Sequence, residues 1–245
     1  MIGLISAMEE ELVRLRDRFE PDQVVKQAGL EFFFGELAGQ KVVLLRCGVG
    51  KVNAAVATQL LIDRFGVDAV IFTGLAGSLV PHLKRGDVIV SNMVVQHDID
   101  LTAFGRRPGE IPDLARMIEA DPKLIHLAAE ATEAVIAESG ETRQMTVGTI
   151  ATGDSFVSDP ERIRWLQREF GAIVTEMEGG AVGQVCQMNR VPFVVIRVIS
   201  DGAGGGAAGE FIMFLDEASD LTCRIVTKSL AMISEEKTKS SLLPA

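Results

Sequence analysis

The chain has 245 residues, with 24 Lys and Arg set against 34 Asp and Glu, for a formal net charge of −10. Hydrophobic residues make up 47% and charged residues 24%, enough apolar mass for one substantial core under a polar surface, which excludes wholesale disorder. The acidic balance without a dense Lys/Arg block argues against a nucleic-acid partner, and apolar stretches such as 191–199, interrupted by Arg197, fall short of the ~20 residues of a spanning helix.

At the N-terminus, residues 1–6 run directly into Glu9, Glu10 and Glu11, which is neither a basic leader nor a long apolar one. Cys47, Cys186 and Cys223 form no close pair and leave an odd one over, so neither a disulfide framework nor a zinc ribbon is expected; a reducing cytoplasm fits. His82, His97 and His126 are scattered. The one local cluster, His97-Asp98-Ile99-Asp100, reads as a polar turn rather than a metal site, and no metal is expected.

In chain order, the apolar run Ile2–Ser6 predicts a strand, and Met8, Leu12, Leu15 and Phe19 recur at helical spacing behind it. Residues 30–37 and 41–46, split by Ala38-Gly39-Gln40, predict a hairpin, with a helix at 52–65. Residues 69–73 and 88–90 are β-branched apolar runs beside glycine turns, hence buried strands. Asp121-Pro122 and Asp159-Pro160 each give an N-cap followed by proline at the first helical position. Further strands are expected at 145–150, 172–175 and 193–199, and helices after Met177 and after Gly209. Strand alternating with helix predicts a single α/β domain over 1–234, a mixed, mostly parallel sheet between two helical layers, with 235–245 a frayed tail.

Ligands of such sheets collect at the carboxyl ends of strands. Glu9 and Glu10 read as ordinary dipole placement at a helix start; Glu11 reads equally as that or as a general base for water. Gly48-Val49-Gly50-Lys51 lacks the spacing of a P-loop or a dinucleotide fingerprint and reads as a tight strand-to-helix turn. Thr73-Gly74-Leu75-Ala76-Gly77-Ser78 is either a plain turn or a place where a ligand approaches backbone. Glu176-Met177-Glu178 carries two carboxylates that would point to opposite sides of an extended chain, one of them suited to a vicinal diol. Arg197 stands in the most hydrophobic strand, where it could orient or ion-pair with a nearby carboxylate, while Asp201, just before a Gly/Ala run, suits protonation of a leaving group.

Taken in order, Ala7-Met8-Glu9-Glu10-Glu11, the segment Gly48 to Ala54, Thr73-Gly74 with Ala76-Gly77, His97-Asp98 with Thr102-Ala103-Phe104-Gly105, Gly153-Asp154 with Phe156, Glu176-Met177-Glu178 and Ser200-Asp201 resemble the nucleoside phosphorylase and nucleosidase superfamily. The resemblance is strongest to its 5′-methylthioadenosine/S-adenosylhomocysteine nucleosidases and extends from residue 2 to about residue 230. It implies a nucleoside phosphorylase-like fold and hydrolysis of an adenine nucleoside through an oxocarbenium-like transition state, with water as co-substrate and no cofactor. By carry-over, Asp201 protonates the purine at N7 and Glu11 activates the water. Glu178 holds the ribose hydroxyls beside Glu176, with Met177 on the sugar face. Phe156 stacks on the base, the Val157 backbone reads its edge, Ser200 orients Asp201, and Arg197 and Ala76 complete the binding site. Phe104, Pro112 and Phe211 correspond to an apolar pocket for the 5′ substituent, part of it borrowed from a second subunit, so a homodimer is implied.

The same resemblance leaves other activities: aminofutalosine or futalosine hydrolysis with a different 5′ pocket, purine nucleoside phosphorolysis, or a silent nucleoside binder. Three Glu near the first strand disfavour a phosphate dianion, and retention of Glu11, Glu178 and Asp201 disfavours a mere binder. Leu75 stands where the family has Ser, Arg106 where it has an aromatic, and the Gly/Ala run 202–209 where it is more polar, which predicts a floppier lid and an altered 5′ preference.

Overall fold

In the computed structural model, described for the backbone of residues 1–201 and 207–241 and the side chains of 1–200 and 214–236, β1 (Ile2–Ser6) is buried along its whole length. Parallel neighbours on both sides explain why it carries no polar alternation: β4 (Gln40–Arg46) lies on one flank and β5 (Ala69–Ser78) on the other. β4 forms the predicted hairpin with β3 (Leu30–Leu37), and a further antiparallel strand, β2 (Gln23–Gln27), closes that edge. β2 escaped the sequence reading because Gln-Val-Val-Lys-Gln is a mostly exposed edge strand with no buried face to impose a pattern.

On the other side of β5 the sheet curls. β5 pairs in parallel with β10 (Phe193–Asp201) and in antiparallel with β9 (Ala172–Glu176); β9 continues through β8 (Met145–Thr152) and β6 (Val88–Gln96) back to β10. These strands close a ring, so β5 and β9, which run in opposite directions, meet at their C-terminal ends with Gly77 opposite Thr175. β7 (Ile118–Glu119) adds a short ladder to β6.

Helices cover both faces. α1 (Glu9–Asp17), α3 (Pro122–Ser139) and α6 (Ala207–Ser241) pack together on one, with Leu12, Leu15, Leu127, Val226 and Leu230 in that core. α2 (Lys51–Asp63) and α5 (Gly179–Asn189) lie on the other over Leu61, Val70, Phe72 and Val182, and α4 (Pro160–Phe170) seals the β8–β9 flank. The predicted caps form: Asp121 accepts from the Lys123 and Leu124 amides at 3.0 and 2.9 Å, and Asp159 from the Arg162 amide at 2.8 Å. The result is one α/β domain in three layers around a mixed sheet. α6 continues through 235–241, where the sequence suggested a frayed tail.

One segment for which a plain turn and a ligand approach both stood open is a strand that lines the cavity described below. The small-residue run Thr73–Ser78 extends β5 to its full ten residues, with Arg197 opposite Gly74 and Ile199 opposite Ala76 on β10. Glycine and alanine there serve close packing rather than chain reversal.

Candidate active site

A cavity of about 480 Å³ opens where the C-terminal ends of β1, β4, β5, β9 and β10 converge. Its charged lining is carboxylate: Glu11, Glu176 and Glu178 are all at least nine-tenths buried, and no Lys or Arg is among its described lining residues.

Glu11 sits in the first turn of α1 and folds back on the chain. Its Oε2 accepts from the Ala7 and Met8 amides, both at 3.0 Å, and Oε1 from the Leu75 amide at 2.9 Å. A carboxylate offers about four acceptor sites, so one remains for a ligand or water. Burial raises its pKa; Arg197 and the three amides pull the other way without cancelling that. Leu75, where the resemblance implied a hydroxyl, serves Glu11 through its backbone instead. Glu9 does not join this site: half exposed, it pairs with Arg16, and Glu10 is exposed, so the negative field comes from Glu11 and the β9 end rather than from a triple-Glu cluster.

The two carboxylates that follow β9 do not point apart, because the strand ends at Glu176 and Glu178 is already the N-cap of α5, with φ −136° and ψ −40°. Glu176 is saturated by the protein. It accepts from Thr152 Oγ1, from Arg197 Nη2, and from the amides of Glu178 at 3.2 Å and Gly179 at 2.7 Å. Glu178 takes one backbone donor, the Gly50 amide at 2.8 Å, and lies 3.8 Å from Arg197 Nη2, which leaves acceptor sites open toward the cavity. Burial, then the neighbouring Glu176, push its pKa up to about 7 against the pull of Arg197.

Arg197 holds this arrangement together. It is 1% exposed, ion-pairs Glu176, and stacks its guanidinium 4.1 Å from the Phe72 ring centroid. Desolvation works against its charge, and Glu176, Glu178 and Glu11 outweigh it. Gly74 is required here by space: a Cβ would stand 2.7 Å from both Arg197 Nη1 and Glu11 Oε1.

Toward the mouth the lining turns apolar. Phe156 is 60% exposed on the cavity wall, with Val49, Met8 and Met177 nearby, and Val157 lines a side cavity of about 30 Å³ beside Thr175 and Gly77. Ser200 is buried on the wall and donates to the Ala76 carbonyl at 3.3 Å. The ladder shifts register between Ile199 and Asp201, a bulge that re-aims the last residues of β10. The Asp201 side chain, residues 202–206 and the Phe211 side chain lie outside the described residues. Phe104, 82% exposed in a 3-10 turn, and exposed Pro112 do not line the cavity of their own chain. Arg106 pairs with Glu110 at 2.6 Å.

The His97–Asp100 cluster is a polar turn. His97 Nδ1 accepts from Arg162 at 2.8 Å, and burial, then Arg162, lower its pKa to about 4; Asp98 pairs with Lys51, and Asp100 caps Thr102. Sequence reasoning did not single out Met8, Val49, Thr152 or Thr175. The first two sit inside segments already flagged, whereas the β8 and β9 threonines carry no local signal.

The phosphorylase superfamily model matches residues 1–231. The chain is 42% identical over 235 residues to a 5′-methylthioadenosine/S-adenosylhomocysteine nucleosidase of Geobacillus thermodenitrificans, covering 96% of this chain and 98% of that protein. Among solved structures it is similar to the nucleosidase of that name from Neisseria meningitidis in complex with methylthio-immucillin-A, with TM-score 0.87, 37% identity and 94% and 98% of the two chains covered. A futalosine hydrolase of Helicobacter pylori matches at TM-score 0.85 and 36% identity, with 94% of this chain and 96% of that one covered. Full-length similarity at this level, on a chain whose sheet ends gather the expected carboxylates, shows that the protein belongs to the phosphorylase superfamily and, within it, to the 5′-methylthioadenosine/S-adenosylhomocysteine nucleosidase family.

Proposed function

We propose that the cavity hydrolyses the N-glycosidic bond of 5′-methylthioadenosine and S-adenosylhomocysteine, giving adenine and the 5′-thioribose. The relatives named for that activity support the reading, and one observation carries it: a lining with three buried carboxylates and, among the described residues, no cationic side chain. Such a field opposes a phosphate dianion and favours the positive charge that develops on a sugar as its base departs. Water is the nucleophile that fits, and at about 480 Å³ the cavity is of nucleoside size.

The division of roles follows from acceptor bookkeeping. Glu178, with open sites, takes the ribose hydroxyls, whereas Glu176 anchors Arg197 and the start of α5. Glu11, with three amide donors and one open site, receives a proton from the attacking water as its oxygen bonds to C1′. The C1′–N9 pair leaves with the purine, and Asp201 supplies the proton at N7 that lets adenine depart neutral. Met177 lies against the sugar, Phe156 stacks on the base, the Val157 backbone reads its edge, and Ser200 positions Asp201.

The working unit is a homodimer. Val52 and Val56 are 74% and 41% exposed on one face of α2 next to the mouth, and Phe104 and Pro112 stand outside their own cavity, available to a second copy's 5′ pocket together with Phe211. Three buried free thiols suit a reducing cytoplasm. The test is adenine release from 5′-methylthioadenosine, S-adenosylhomocysteine and aminofutalosine, each with and without phosphate. Phosphate-independent release with a free sugar is expected, fastest on the thioether nucleosides. A sugar 1-phosphate product overturns the hydrolase, and a clear preference for aminofutalosine moves the substrate to the second reading, to which the Helicobacter pylori neighbour points.

A further inference from the structure

The turn that follows β4 donates to Glu178 through the Gly50 amide, and that turn is itself held by a closed circuit of polar groups. The Lys51 amide donates to Asp154 Oδ1 at 2.8 Å, and Lys51 Nζ donates to Asp98 Oδ1 at 2.6 Å. Asp98 Oδ2 in turn accepts from the Asp154 amide at 2.9 Å, which closes the ring across the segments after β4, β6 and β8. The Lys51–Asp98 pair is shielded, with side chains 17% and 26% exposed. Gly50 has φ +98°, a conformation for glycine, and a Cβ there would lie 3.2 Å from Asp154 Oδ1. Phe156, on the cavity wall, follows Asp154 by two residues.

We propose that Lys51, Asp98 and Asp154 are positioning residues: their ring aims the Gly50 amide at Glu178 and thereby fixes the carboxylate that grips the sugar hydroxyls. This rests on the reading of Glu178 as the sugar-binding group. The alternative is a ring that merely stiffens the surface between three loops, and the two differ in what they predict. A stiffening ring affects every substrate alike. A ring acting through Glu178 affects substrates in proportion to the hydroxyls that Glu178 holds. The short path supports the second: the Lys51 and Gly50 amides belong to consecutive residues, and the latter is the single backbone donor Glu178 has among the described residues.

The experiment compares wild type with Lys51→Met, Lys51→Arg and Asp98→Asn, full-length and checked for folding, on 5′-methylthioadenosine and on its 3′-deoxy analogue. For Lys51→Met and Asp98→Asn we expect about a tenfold loss of kcat/KM on the ribosyl substrate, the scale of a weakened hydrogen bond to a charged group, and about a threefold loss on the 3′-deoxy one, which keeps one of the two hydroxyls. Lys51→Arg, which keeps the cation, restores most of the ribosyl rate. Equal losses on both substrates, or no loss on either, overturn the proposal while leaving Glu178 in its role. Wild type that turns over both substrates equally overturns the role of Glu178 itself, and the ring's role with it.

Discussion

The inner and outer ends of the cavity are built differently. At the inner end Glu11, Glu176, Glu178 and Arg197 are buried, and the protein supplies most of their hydrogen bonds. At the outer end Phe156 and Val49 stand 60% and 48% exposed, and Phe104 reaches solvent rather than its own cavity. The inner end is preorganised: charge is held in place before any ligand arrives, and no reorganisation is needed as positive charge develops. The outer end, open to solvent, gains further contacts only when something covers it. On the roles proposed above, proton transfer to Glu11 belongs to the inner end and contact with the base to the outer one, and variants should separate them.

The largest effect is expected from Glu11→Gln. The amide keeps the side chain's shape but cannot take up the proton of water, so turnover should fall on the order of 10²- to 10⁴-fold while a nucleoside analogue still binds. Rate and binding measured on the same variant check this; an unchanged rate moves the base elsewhere. A smaller effect is expected from Phe156→Ala at the outer end. Loss of one base–aromatic stack should raise KM about tenfold with kcat little altered. A fall confined to kcat would erase the contrast between the ends.

The finest test uses pH. The Glu178 pKa is raised to about 7, above its ordinary value of 4.5, so the folded state holds a proton that the unfolded state has already released between those values. Its contribution to stability therefore declines as pH rises through that window, while the sugar-binding role proposed for it, which needs the ionised carboxylate, is favoured. Glu178→Gln removes the titration, so the variant's stability relative to wild type should climb from about pH 4.5 to about pH 7, read by denaturant unfolding. In wild type kcat/KM should rise over the same range. A flat stability difference would place Glu178 in a wetter setting than its burial describes. His97, neutral above about pH 4 and held by Arg162, contributes nothing to that rise in activity.

Much of this was legible in the chain. Apolar runs marked β1, β4 and β10, Asp-Pro pairs marked α3 and α4, and the charge of Arg197 inside the most apolar strand pointed to a nearby carboxylate as a partner it could have, which is Glu176. What was not legible depended on distant neighbours. Thr73–Ser78 left a plain turn and a ligand approach equally open because glycine and alanine carry weak strand signals; it is a strand flanked by β10 and β9, and Gly74 must lack a side chain beside Glu11 and Arg197. β2 had no pattern because an edge strand has no buried face.

The sequence by itself determined which residues could carry the chemistry. Hydrophobic periodicity and capping, which act over a few residues, identified the strand ends and the carboxylates beside them, while the motifs in their order carried the resemblance to a family. Tertiary structure alone decided how those carboxylates differ. Glu176 and Glu178 are two residues apart and chemically identical, yet the first is filled by Thr152, Arg197 and the α5 amides while the second keeps acceptors open. The closure of β5 against β9 and the reach of the Gly50 turn set that difference. A carboxylate's role depends on which donors reach it and on how much water it has lost, and those donors come from segments far apart in the chain.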